Sequence, residues 1–393
     1  MQPCYEENLA RYEAIKNEAR AVIARFYKEH RGFPAPAQEE VSRLHDAYSA
    51  RQYRFKYVVA KYFFNVTFEY KGTPWKYVIP LLSFYIGKKL SGDYKNTVQK
   101  YRKDFTMRLN AFSKKHPDVV FDKEAISQMV KLILACYITT FINLPLFSVQ
   151  SRKKKLHDAY LAGFYYGLAY VISDRTLDDP SISPEQKKDF HEQILSGLSN
   201  SNKMLITDGL LSDLISMARE ALPVETFENQ YRLLFYLQCV QFDEYFYSIN
   251  EGSDDEIIDK LTLSALKTHL SLFTIQSFST NRTLEESIRE HIKYSLLVQL
   301  DDDLRDMDKD RKENITTFFS QPWTHQTFSP HGLYLSLVKD ICQQNKKLSW
   351  LFSDYFKHLS KKEKDASFDQ EKIALFVQKM IGVDPGNIIN PTN

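Results

Sequence analysis

Between Ile292 and Asp310 the chain passes without a break from an apolar helical run into a row of aspartates. The stretch Gln299-Leu-Asp-Asp-Asp-Leu-Arg-Asp-Met-Asp-Lys-Asp310 holds six of them. On a helix, Asp302, Asp306 and Asp310 fall at i, i+4 and i+8, along one slowly drifting stripe. Like charges at that spacing repel by roughly 0.2–0.5 kcal/mol per pair. A helix with an apolar body and such an acidic end calls for a compensating cation.

The rest of the chain is helical in pattern. Tyr5 to His30 carries apolar residues at Leu9, Tyr12, Ile15, Ala19, Val22, Ile23 and Phe26, one face of an amphipathic helix. Further helices are predicted over 37–70, 75–90, 94–115, 123–144, from 151 towards Asp174, and onward from Pro184. Others are predicted near 210–222, 225–248, 256–278, 284–307, 333–358 and 370–381. Thr283 followed by Glu286 is a capping-box start for the helix that leads into the aspartate row. No run alternates at strand period. With 43% hydrophobic and 14% aromatic residues, and only 12 Gly and 14 Pro, the chain reads as an all-α bundle with a sizeable core.

Charge divides the chain. Between Arg51 and Asp118 there are 15 Lys/Arg against 4 Asp/Glu, although the whole carries only +2. The bias ends at His116-Pro-Asp118. Residues 1–118 are therefore read as an N-terminal helical extension packed on an α-bundle over 119–393. The beginning lacks a basic start followed by an apolar run, so no signal peptide is expected. The apolar run from Leu132 to Phe147 contains Asn143 and Pro145 and is short for a membrane span, so no transmembrane segment is expected. Four scattered cysteines form no C-x-x-C pair, which points to reduced thiols and a cytoplasmic protein.

A second acidic cluster, Asp174-Arg-Thr-Leu-Asp178-Asp179, ends an aromatic helix just before Pro180. Asp174 and Asp178 lie one turn apart on one face. Carboxylates at a helix C-terminus oppose its dipole, so something else must compensate them. The two clusters stand 128 residues apart, 302 minus 174. If their helices pack side by side, the carboxylates converge at one end of the bundle above an apolar space. Hard oxygen donors in that arrangement suit Mg²⁺, which completes its octahedron with water and substrate phosphates. Lys309, Arg311 and Lys312 are candidates for the same anion.

The two clusters resemble the acidic motifs of the class I isoprenoid synthases. Asp174-Arg-Thr-Leu-Asp178-Asp179, followed by Ser181-Ile-Ser183-Pro-Glu185, is similar to the first motif of squalene synthases. It is a looser match to the Asp-Asp-x-x-Asp of prenyl diphosphate synthases and terpene cyclases. Gln299-x-x-Asp302-Asp303-x-x-Asp306 is similar to the second motif of prenyl diphosphate synthases. Asp302, Asp306 and Asp310 also fall on the metal triad of terpene cyclases. The resemblance spans 151–319.

It implies the isoprenoid-synthase helical bundle with extra N-terminal helices, three Mg²⁺ ions with diphosphate, and a C15 or C20 allylic prenyl diphosphate substrate. Asp174, Asp178, Asp302 and Asp306 would be catalytic and, with Asp310, would hold metal. Gln299, Lys309, Arg311, Tyr166 and Tyr170 would bind substrate. Phe164, Tyr165, Phe235, Tyr236, Phe242 and Tyr245 are further aromatics available to face a carbocation. The resemblance also admits a homodimer.

The expected activity is a terpene synthase that ionises one prenyl diphosphate and cyclises or rearranges the cation. A chain-elongating or squalene-synthase-like coupling prenyltransferase is the alternative. Gly87-Lys88-Lys89 is a distant copy of the basic segment with which condensing enzymes hold a second diphosphate. Lys267-Thr268 resembles their Lys-Thr pair at a short spacing to Gln299. A third reading has the basic, aromatic 51–118 region bind nucleic acid or an anionic membrane. Basic helix faces over an aromatic core are preferred there, and no nucleic acid is expected.

Overall fold

The computed structural model describes residues 5–30, 33, 93–143, 148, 150–199, 206–249, 252–277, 282–313, 317–320 and 328–344. A few helical side chains, those of Asp306 and Lys309 among them, lie outside the described residues. Helix accounts for 84% of what is described and no strand occurs in it, as the all-α reading expects. One isolated bridge joins Phe33 to Phe328. The expected helices over 37–70, 75–90 and 370–381 fall outside the described residues. So do the portion of the 333–358 helix beyond Gln344 and most of the basic 51–118 region.

Among the described residues ten helices follow in order: α1 Tyr5–His30, α2 Asp93–Lys115, α3 Lys123–Ile142, α4 Arg152–Asp178 and α5 Pro184–Leu198. Then come α6 Gly209–Ala221, α7 Val224–Phe246, α8 Asp254–Gln276, α9 Leu284–Glu313 and α10 Pro330–Gln344. The expected capping box starts α9, with Thr283 N–H donating to Glu286 and Glu286 N–H donating to Thr283 Oγ1. Two more boxes, Ser183 with Gln186 and Ser253 with Glu256, start α5 and α8. The helix α9 runs six residues beyond the expected end at Met307. Repulsion along its carboxylate row is small per pair, and Arg311 and Lys312 in its last turn complement the dipole.

Two apolar cores are built around α4. One joins α1, α7, α8, α9 and α10 with Ala135 and Cys136 of α3 and Leu195 of α5; the other joins α2, α3, α5 and α6 with Phe227 and Tyr231 of α7. Ala159 to Leu168 on α4 are all buried, so this helix has no solvent face in its middle. Its closest neighbour is α3. A Cβ at Gly163 would lie 2.5 Å from Ile133 Cα, and one at Gly167 would lie 2.9 Å from Met129 Cα. Tyr12, Ile15, Ala19, Ile23 and Phe26 of α1 sit in the first core, and Phe105, Leu109 and Phe112 of α2 sit in the second. Ion pairs from Arg11 to Glu285, Arg20 to Asp259 and Lys16 to Asp243 tie α1 across α7, α8 and α9.

Gly163→Ala is expected to force α3 and α4 apart and cost about 1–3 kcal/mol. Gly209→Ala, with open space around the added methyl, is expected to gain roughly 0.4–1 kcal/mol. Urea unfolding of both variants checks the contrast; equal effects would mean that the α3–α4 contact yields without cost.

Candidate active site

Four helices surround a cavity of about 1090 Å³. From α4 come Tyr166, Tyr170, Asp174, Leu177 and Asp178. These positions recur every third or fourth residue, so they form one stripe along the helix. The Gly163 and Gly167 contact with α3 fixes which way that stripe faces. From α7 come Leu237, Gln241, Glu244 and Tyr245, and from α9 Gln299 and Asp303. The remaining wall is α8, which presents Lys260, Ser264, Lys267, Thr268 and Ser271.

The cavity thus has walls of opposite chemistry. The α8 stripe consists of ammonium and hydroxyl donors, and the walls across from it carry carboxylates. Lys267 forms an ion pair with Glu244, and Ser264 Oγ donates to the same carboxylate at 2.5 Å. Burial alone would raise the pKa of Glu244, but the ammonium groups of Lys267 and Lys260 hold it below the usual range. Burial likewise opposes the charge on Lys267, and Glu244 more than restores it. Thr268 Oγ1 donates to Gln299 Oε1 at 2.5 Å, and Gln299 Nε2 donates to Asp303 Oδ1 at 2.7 Å. Asp303 is buried, which pushes its carboxyl up to about 7 despite Gln299 and Lys267.

The two acidic clusters both act on Tyr170 through their charge. Burial pushes the phenol of Tyr170 well up, and the charges of Asp174, Asp302 and Asp178 add to the shift. Asp174, Asp178 and Asp302 thus act electrostatically on one hydroxyl. Successive aspartates of α9 fan out around the helix. Asp301 accepts from Tyr334 on α10, Asp302 is exposed, and Asp303 faces the cavity. Asp310 is buried and accepts from Thr317 Oγ1 at 3.3 Å, and Thr317 itself lines the cavity. Arg311 is exposed and donates to the Phe319 carbonyl at 3.1 Å, away from the lining. Asp179 serves the turn, accepting from the amide and hydroxyl of Ser181.

The compensation expected at the end of α4 comes from α5. Lys187 is buried and donates to the Leu177 carbonyl and to the Tyr245 hydroxyl. Its ammonium therefore caps the negative end of the helix that carries Asp174 and Asp178.

Of the aromatics proposed for the pocket, Tyr166, Tyr170 and Tyr245 line the cavity. Phe164 and Tyr165 point into the α2 side of the core, where Phe164 meets Phe105 and Tyr165 meets Arg108. Phe235 packs edge-on against Tyr5, Tyr236 is buried beside it, and Phe242 stacks on His191. Helix rotation explains the split, since consecutive residues differ by 100° in direction. Tyr166 bonds Ser271 at 2.6 Å and also borders an apolar pocket of about 50 Å³ lined by Ala162, Leu198, Leu214 and Leu234.

Of the donor stripe on α8, sequence reading singled out Lys267-Thr268 and missed Lys260, Ser264 and Ser271. Its signal is Lys260, Ser264, Lys267, Thr268 and Ser271 at helical spacing inside an otherwise apolar segment. Among the described residues, no three His, Cys, Asp or Glu side chains cluster closely enough to hold a metal by themselves. The donor set is still of the kind Mg²⁺ takes, hard oxygens that supply one or two carboxylates and leave the other positions to water and phosphate. No helix among the described residues is long and apolar enough to cross a membrane. No family model, curated protein or solved structure matches the chain.

A carboxyl raised by folding makes stability fall as pH rises, because the unfolded chain ionises first. For Asp303 that fall lies between 3.8 and about 7. Asp303→Asn is expected to gain on the parent across this window in denaturant unfolding with EDTA present. A constant difference between the two proteins from pH 4 to pH 7 would refute it.

Proposed function

We propose that this chain ionises an allylic prenyl diphosphate in a Mg²⁺-dependent reaction, releases diphosphate, and cyclises or rearranges the cation as a class I terpene synthase. The observation that carries this reading is that Asp174 and Asp178 from one acidic cluster and Asp303 from the other line one large cavity with Tyr170, whose phenol also feels the charge of Asp302. Asp174 and Asp178 on one side, and Asp302 with Asp306 and Asp310 on the other, are the residues that would hold the metal. When bound, Mg²⁺ neutralises the charge that develops on a departing diphosphate.

The chain's own groups supply the rest. Lys267 offers donors to diphosphate oxygens, and Gln299 accepts the hydrogen bond of the Thr268 hydroxyl and so fixes that side chain beside it. The faces of Tyr166, Tyr170 and Tyr245 offer negative quadrupole to a hydrocarbon cation, worth about 0.5–2 kcal/mol each. The apolar pocket beyond Tyr166 suits the far end of a hydrocarbon chain.

One observation favours a second reading, chain elongation by a condensing prenyltransferase. Lys267 and Thr268 stand beside Gln299 and Asp303, the grouping that the resemblance to condensing enzymes implies. Incubation of the purified chain with C10, C15 or C20 allylic diphosphate and Mg²⁺, with and without isopentenyl diphosphate, separates the two. A hydrocarbon or alcohol from one substrate supports the cyclase. A product formed only with the co-substrate supports elongation and overturns it. No diphosphate release from any substrate overturns both.

Asp174→Ala and Asp302→Ala are expected to abolish Mg²⁺-dependent diphosphate release while the far-ultraviolet circular dichroism stays helical. Release at the parent's rate would remove these carboxylates from the site. Tyr170→Ala is expected to change the product mixture more than the affinity for diphosphate. An unchanged product profile would take the Tyr170 ring out of contact with the cation.

A further inference from the structure

Lys187 is 4% exposed and forms no ion pair among the described residues. It sits in the first turn of α5, at the positive end of that helix's dipole. A cation there is disfavoured twice, by burial and by its own helix. What it faces must outweigh both. Its ammonium donates to the Leu177 carbonyl in the last turn of α4 and to the Tyr245 hydroxyl near the end of α7.

That last turn of α4 works against itself. Asp174 and Asp178 stand at i and i+4, Asp179 is the C-cap residue, and all three add negative charge to the negative end of the dipole. Arg175, the basic residue of the same turn, is committed elsewhere. Its guanidinium pairs with Asp122 and donates to the Val120 carbonyl, just before α3. The end of α4 therefore relies on a cation brought from another helix, and Lys187 brings it.

We infer that Lys187 is the resident cation of the first acidic cluster, a positioning residue that keeps the last turn of α4 wound, with Asp174 and Asp178 in register, before any metal arrives. The inference rests on the ionisation reading in taking those two carboxylates as ligands. Without the ammonium the turn frays, and a metal must rewind it to bind. The apparent affinity for metal then falls with the fraction of time for which the turn is wound. The same fraction sets how fast its amides exchange with solvent. Two measurements without turnover thus read one quantity.

The first is hydrogen exchange of the full chain, in EDTA and again with Mn²⁺ and pyrophosphate. The second is Mn²⁺ binding by electron paramagnetic resonance with pyrophosphate present. In Lys187→Met the amides of Leu177, Asp178 and Asp179 are expected to exchange about tenfold faster without metal. Mn²⁺ with pyrophosphate restores their protection, and Mn²⁺ affinity falls by about the same tenfold. Lys187→Arg, which can still reach the last carbonyls of α4, stays within about threefold of the parent in both. Lys187→Gln keeps a donor without the charge, moves in the direction of Lys187→Met, and is read in its place if the methionine protein does not fold. Unchanged exchange at the end of α4, or faster exchange there with parent-like Mn²⁺ affinity, overturns the inference and leaves the ionisation reading standing. Faster exchange spread evenly over all the helices marks a general loss of stability and overturns it too. No Mn²⁺ binding by the parent overturns the carboxylate site, and the positioning role with it.

Discussion

A Cβ at Gly163 would fall 2.5 Å from the Ile133 main chain, so α3 and α4 meet backbone to backbone. Contact that close leaves α4 little freedom to rotate or slide. The consequence propagates by helical geometry alone. Tyr170, Asp174 and Asp178 stand seven, eleven and fifteen residues beyond Gly163, so they continue the glycine stripe towards the C-terminal end of α4, and with Tyr166 they line the cavity shared with α7, α8 and α9. Both apolar cores pack against the same helix, so the site inherits its position from an element that is buried all round through its middle.

Around that axis, charge is arranged by helix. Donors line α8 and carboxylates line α4, α7 and α9. The pairing of Lys267 with Glu244 neutralises the centre of the cavity, and the chain Thr268–Gln299–Asp303 joins α8 to α9. These contacts do more to define geometry than to stabilise the fold. A buried ion pair recovers little net free energy after desolvation, but removing either partner leaves the other charge buried and alone. The polar floor is thus held in one arrangement.

Much of this was legible in the residues. The period of Tyr5–His30 gives α1 to its ends, and Thr283 with Glu286 starts α9 as written. The facing of Asp174 with Asp178 follows from one helical turn. What period alone does not give is direction. Tyr165 and Tyr166 are neighbours in the chain, but one meets Arg108 and the other Ser271. Lys267-Thr268 stands at a short spacing from Gln299 in the chain for the pair it resembles, and side-by-side packing of α8 and α9 brings Thr268 onto Gln299. The rest of the α8 stripe, Lys260, Ser264 and Ser271, was hidden because Ser and a lysine stem pack acceptably in a core.

Lys187 reaches from α5 to the Leu177 carbonyl at the end of α4 and to the Tyr245 hydroxyl near the end of α7. One ammonium therefore pins three chain ends that meet at the cavity rim. In mechanical terms the rim is a triangulated frame: the acidic end of α4 cannot swing without carrying the first turn of α5 and the phenol of Tyr245 with it. The connection through Pro180, short and exposed, then acts as a tether rather than a hinge, and the spacing between Asp178 and the aromatic edge of the cavity is set by a cross-brace instead of by the loop.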